Sequence, residues 1–230
     1  MPDFNRYWVG VHSILAMMVM ASCSPVRAQI VAFGASNVSG WNVAASETFA
    51  AQLQAMLREK GYNVRVLNKG IYGNSTAEMR NRMEADIPEG TTIVILDTTG
   101  GLYNDSFKGI SREQGDADMA AITDRLKARG IKVFPFSAAD LPAEYHQQDH
   151  VHLNPEGHKL LASQLLPQIT EALGPPPATP ESVRRACAAD ARRLCAKVLG
   201  DDEKRHACMH EHNSELSLDC RRAIAASRQH

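Results

Sequence analysis

The chain has 230 residues, a formal net charge of −1, and 44% hydrophobic against 22% charged residues. That length allows one good core with a small appendage, and the composition is that of an ordinary globular protein. The near-neutral charge, with no basic tract or aromatic-interleaved basic stripe, argues against a general nucleic-acid binder, which carries a basic surplus.

Residues 1–28 read differently from the rest. Arg6 precedes an apolar stretch over residues 8–20, and the segment ends in Val26-Arg27-Ala28. This order of charge, apolar run and small-residue site predicts a secretory signal peptide cleaved after Ala28. The apolar part is short and contains His12 and Ser13, so no stable membrane span is expected after processing. The rival is a lipoprotein-type cut before Cys23, with a lipid anchor on that cysteine. Either way the mature protein is expected in the periplasm or outside the cell. The other cysteines, Cys187, Cys195, Cys208 and Cys220, form an even set in one short segment, which suits disulfides in an oxidising compartment.

Over residues 29–173 strand and helix patterns alternate. Residues 30–33 form a first apolar strand that stops in Gly34-Ala35-Ser36. Ser46 is positioned to cap a helix carrying Phe49, Leu53, Met56 and Leu57 at helical spacing. Residues 64–67 are a second strand, residues 77–83 a helix, and residues 92–96 a continuous apolar run suited to a buried parallel strand. A helix over residues 118–129 leads to a strand over residues 131–136. Pro155 opens a last helix with Leu160, Leu161, Leu165 and Ile169 on one face. Such alternation predicts a doubly wound (flavodoxin-like) α/β fold, with its reactive site outside the carboxyl ends of the strands. Residues 174–182 are a stiff proline-rich linker, and residues 183–230 a separate cysteine-rich helical module.

Four polar clusters follow or flank strand ends: the loop with Ser36, residues 68–76 with Gly73, residues 98–105 with Asn104, and residues 149–158 with Asp149 and His152. In a turn entering a helix, Asp149 and His152 can face the same way. Asp149 then orients one imidazole nitrogen while the other takes the Ser36 proton, the logic of a nucleophile–base–acid triad. The Ser36 and Gly73 N–H groups and the Asn104 amide are candidate oxyanion donors. A metal site at Asp149, His150 and His152 is the rival, but no second cluster is placed to complete it. His150 and His158 are read as surface residues.

These residues resemble the SGNH (GDSL-type) hydrolases, particularly the arylesterase and lysophospholipase L1-like branch. The family's Ser, Gly, Asn and His blocks look like Ser36, Gly73, Asn104 and His152, and its acid three residues before the histidine matches Asp149. The resemblance implies an esterase that needs no cofactor or metal and acts on a small-molecule ester or lipid: aryl or acyl esters, lysophospholipids or thioesters. An acetylated envelope carbohydrate is the enzymatic alternative, and an inactive binding protein the non-enzymatic one. Two departures stand out. Ala35 replaces the Asp usual before the serine, and the third block is long, with Asn104 well past Gly100-Gly101.

In the tail, Cys187 and Cys195 are eight residues apart on one predicted helix, about 12 Å by helical rise, too far to bridge. Nested pairing of Cys187 with Cys220 and of Cys195 with Cys208 staples a hairpin of two short helices turning near Gly200. Residues 183–225 are similar to the cysteine-rich repeat of the Golgi apparatus protein family, a resemblance that carries no assigned chemistry; contact with an envelope polymer or another protein is the role left open for the module, with no specific residue pointing to it. The rival is a metal site at His206, Cys208, His210 and His212.

Overall fold

The computed structural model describes residues 29–227; the predicted leader and Cys23 lie outside the described residues. Strand β1 (Gln29–Gly34) pairs in parallel with β2 (Arg65–Gly70) on one side and β3 (Thr91–Asp97) on the other. Strand β4 (Lys132–Phe136) adds to β3, giving the order β2-β1-β3-β4. After β2 the chain crosses to the far side of β1, so the order reverses between β1 and β3. At that point the connecting loops go to opposite faces, the place where open sheets of this kind form a crevice over the carboxyl ends.

Side-chain alternation in the central strands explains the layers. Ile30, Ala32, Ile93 and Ile95 pack with Leu53 and Leu57 of α2 (Phe49–Glu59) and Leu161, Leu165 and Ile169 of α6 (Pro155–Leu173). Val31, Phe33, Val94 and Leu96 pack with Met79 and Met83 of α3 (Thr76–Asp86) and Ile122 and Leu126 of α5 (Arg112–Ala128). The expected doubly wound parallel sheet flanked by helices is the observed one.

Local details differ from the sequence reading. Thr48, not Ser46, caps α2 by accepting the Ala51 N–H, and Ser46 lies in a preceding 3-10 turn. Two short helices occupy stretches read as loops: α1 (Ser36–Ser39) and α4 (Gly100–Asp105). His158 is a clear correction. It is 1% exposed, on the same stripe of α6 as Leu161 and Leu165, and its Nδ1 accepts the Phe49 N–H at 3.2 Å. Burial pushes its pKa down to about 4.

The tail folds as α7 (Pro180–Leu194), α8 (Asp202–Glu211) and α9 (Leu218–Ser227). The disulfides pair as expected, Cys187–Cys220 and Cys195–Cys208, with Cα–Cα distances of 4.6 and 6.0 Å. A third helix replaces the expected simple hairpin, because the chain past Leu216 turns back so that Cys220 meets α7. Helix α7 starts inside the stretch read as linker, where Thr179 caps it and Pro180 takes the first position. With Cys208 in a disulfide, a thiolate metal site in the tail is overturned. No helix of the described residues is long and apolar enough to cross a membrane.

Burial of His158 makes stability pH-dependent. The folded imidazole stays neutral down to about pH 4, whereas an unfolded one takes up its proton near 6.5. Between these values the unfolded chain binds more protons, so stability is full above pH 6.5 and falls as pH drops towards 4, by roughly 3 kcal/mol. His158→Gln keeps an acceptor for Phe49 and is expected to flatten that slope. Urea midpoints at pH 7 and pH 4.5 check it, and an unchanged slope would refute the assignment.

Candidate active site

The crevice is built around the end of β1. The chain leaves the strand at Gly34, passes Ala35, and enters α1 with Ser36, which is only 6% exposed. Beside it the carboxylate of Asp97, at the end of β3, is fully buried. Its Oδ2 accepts the Ala35 N–H at 3.3 Å, and its Oδ1 accepts the N–H groups of Thr99 and Gly100 at 3.1 and 2.9 Å. Burial pushes the Asp97 pKa up against the pull of these three donors. A Cβ at Gly100 would lie 2.3 Å from Asp97 Oδ2 and 3.0 Å from the Ala35 Cβ, so the two loops meet too closely for a side chain there. Position 35, where the resemblance calls for Asp, thus has a small residue whose N–H is held by a carboxylate from the neighbouring strand.

Asp149 and His152 come together as the spacing suggested. Asp149 Oδ2 lies 2.6 Å from His152 Nδ1, while Oδ1 accepts the N–H groups of Val151 and His152, each at 3.0 Å. His150 adopts φ 58°, the left-handed conformation that turns the backbone so that both N–H groups reach one oxygen. Burial pushes the Asp149 pKa up, but the His152 ring and these two N–H groups outweigh it and hold the carboxyl at about 2. Asp149 is therefore ionised at neutral pH and holds the imidazole with its Nδ1 protonated.

Asn37, the residue after Ser36, ties the two loops together. Its Nδ2 donates to the Val151 carbonyl at 3.1 Å, and its Oδ1 accepts the Leu153 N–H at 2.8 Å. The side chain adjoining the candidate nucleophile thus grips the backbone on both sides of the candidate base.

The Gly73 loop is fixed from below. Arg82 donates to the Gly34 and Lys69 carbonyls at 2.7 and 2.9 Å, and its guanidinium lies 4.4 Å over the Phe33 ring. Gly73 has φ 72°, which a side chain resists, and a Cβ there would meet open space. Neither its N–H nor that of Ser36 has a protein acceptor among the described residues. Asn104 sits in α4 with its amide donating to the Asn74 carbonyl at 2.8 Å, so it braces the Gly73 loop. Over the mouth, Trp41 and Tyr72 stack with ring centroids 4.0 Å apart, and each lies 6.1 Å from the His152 ring. Both are exposed.

The arrangement can activate a hydroxyl, orient an imidazole and receive a developing oxyanion on free N–H groups. No group of three His, Cys, Asp or Glu side chains able to hold a metal occurs among the described residues. Asn37, Asp97 and the Trp41–Tyr72 pair were missed in the sequence. Asn37 adjoins Ser36, and Asp97 sits at a strand end, but nothing local marks their partners.

Residues 32–148 match the GDSL-like Lipase/Acylhydrolase family. Esterase TesA of Pseudomonas aeruginosa is 27% identical over 131 residues, covering 57% of this chain and 63% of that protein. The chain thus spans less than two thirds of the curated relative's length. Among solved structures, TesA superposes with TM-score 0.53 at 18% identity, covering 63% of this chain and 99% of that one. The psychrotrophic esterase EstA from Pseudoalteromonas sp. superposes with TM-score 0.53 at 14% identity, covering 63% and 98%.

Replacing Asn37 by Ala leaves the buried Leu153 N–H without its acceptor, at a cost of about 1–3 kcal/mol. We expect Asn37→Ala to lower unfolding free energy by that amount and to speed amide exchange at Val151–Leu153. Unchanged exchange there would show that the His152 loop is held by something else.

Proposed function

We propose, from the premise that this chain belongs to the GDSL-like Lipase/Acylhydrolase family, that it is a serine esterase acting through an acyl-Ser36 intermediate. The observation that carries this reading is the Asn37 clamp, which couples the Ser36 turn to the loop presenting an oriented His152. Ser36 Oγ attacks the ester carbonyl carbon as His152 Nε2 takes its proton. Asp149 holds Nδ1–H and stabilises the imidazolium. The tetrahedral oxyanion is received by the N–H groups of Ser36 and Gly73. Collapse expels the alcohol, protonated by His152, and a water activated by the same imidazole then releases the carboxylic acid.

Asn104 acts on the oxyanion site through the Asn74 carbonyl that it holds beside Gly73. Ala35 does not break the loop in this reading, because Asp97 receives the Ala35 N–H. For the substrate, the exposed Trp41–Tyr72 stack beside His152 suits an apolar acyl or aryl group. The same flat surface suits a sugar ring, so an O-acetylated carbohydrate is the second reading. Two disulfides support an oxidising compartment, consistent with export.

Hydrolysis of p-nitrophenyl acetate and hexanoate tests this. Ser36→Ala is expected to abolish turnover without changing the unfolding midpoint, and full activity in that variant would sink the assignment. Asp149→Asn should lower kcat roughly 10²–10⁴-fold, since the imidazole loses its orienting carboxylate. Trp41→Ala should raise KM several-fold more for the hexanoate than for the acetate. An equal effect on both esters would remove the stack from the acyl site.

A further inference from the structure

The cysteine-rich tail holds a cleft that the catalytic reading does not use. Helix α8 is tied to the end of α7 by Cys195–Cys208 and buries none of its own residues fully, while Met209 packs against the α7–α9 cluster. Between them lies a cleft of about 990 Å³, on the scale of a small-molecule site. Its walls include Val183, Ala188, Ala191, Leu199, Met209 and Ile224. Small side chains at Ala188 and Ala191 leave the space open where larger residues would close the helices.

Two of the arginines that line it, Arg184 and Arg192, are free of acidic partners among the described residues, and His206 and His210 line it too. Asp202, the acid of the lining, is paired with Arg205. An apolar trough with unpaired cations along it suits an anion with a hydrocarbon tail. Arg184 and Arg192 are two helical turns apart, about 12 Å by helical rise, the reach of a medium-length alkyl chain. A membrane surface would ask for a protruding apolar ridge, not a trough.

We propose that this cleft binds one fatty-acid anion, its alkyl chain on the apolar walls and its carboxylate paired with Arg184 or Arg192. On the preceding reading such an anion belongs to the class that the chain's own reaction releases, which makes the tail a product-binding module. That link rests on the esterase reading, whereas the binding does not.

The test is equilibrium dialysis of labelled dodecanoate, below its micellar range, against the full chain. One saturable site is expected. Its affinity should fall at least 10-fold in Arg184→Ala/Arg192→Ala and in Ala188→Trp, which fills the trough. Dodecanol, with no carboxylate, should bind at least 10-fold more weakly than dodecanoate. Turnover of p-nitrophenyl acetate should match the parent in both variants. Equal dodecanoate affinity in parent and double variant, or binding lost in Trp41→Ala instead, would overturn the proposal and place the anion in the crevice. Sedimentation with phosphatidylglycerol vesicles without dodecanoate binding would overturn it in favour of a membrane-facing surface. Binding is read without turnover, so an inactive Ser36 would leave this result untouched, and a failed binding test would leave the esterase reading untouched.

Discussion

The buried carboxylate of Asp97 is the constraint on which the catalytic end of the sheet depends. A carboxyl group fully removed from water is tolerated only where donors replace its hydration, and here three backbone N–H groups do so. Those donors come from two loops, one leaving β1 and one leaving β3. The carboxylate therefore fixes the two loops relative to each other at the point where strand order reverses. Burial and hydrogen bonding pull its protonation in opposite directions, and burial wins. Even a protonated Asp97 keeps acceptor oxygens for the loop amides, so the tie outlasts a change in its charge.

From that anchor the site is assembled by side chains that bond to backbone. Arg82 holds the ends of β1 and β2, Asn104 holds the Gly73 loop, and Asn37 holds the His152 loop. Donors and acceptors that would be costly if buried unpaired are satisfied by the loops they must position. The same bonds that let these loops be buried thus hold Ser36, Gly73 and His152 in place. Asp149 is fixed by two amides of its own turn as well as by the imidazole, so its oxygens point the same way before any substrate arrives.

The strands and the long helices were legible because their signals are local: apolar runs, period-2 alternation and caps. Helix α4 was not, since Gly100-Gly101 reads as a loop and the acceptor for its first amide is Asp97 on the preceding strand. The buried His158 was legible in principle, because it continues the stripe of Leu161 and Leu165, but a polar residue beside a loop was read as exposed. The Asp149–His152 pair was legible because three residues suffice to build it. Asn37 was not, because its partners lie 114 and 116 residues away in sequence. Disulfide pairing was readable only in part: helical rise separates Cys187 from Cys195, which leaves two of the three connectivities open.

The two parts of the chain are stabilised by different means. The sheet domain buries two apolar layers, so its polar site can be assembled against a core that already holds. The tail has a small cluster around Cys187, Leu216 and Cys220. Its bridges close segments 33 and 13 residues long, worth about 4 and about 3 kcal/mol respectively in a chain-entropy account. Nesting makes the two contributions less than additive, since the inner loop already shortens the outer one. Helix α8 buries no residue fully, so the Cys195–Cys208 bridge adds to the Met209 contact in holding it. A helix held covalently need not close over its neighbours to stay in place, and its apolar face can remain open beside α7.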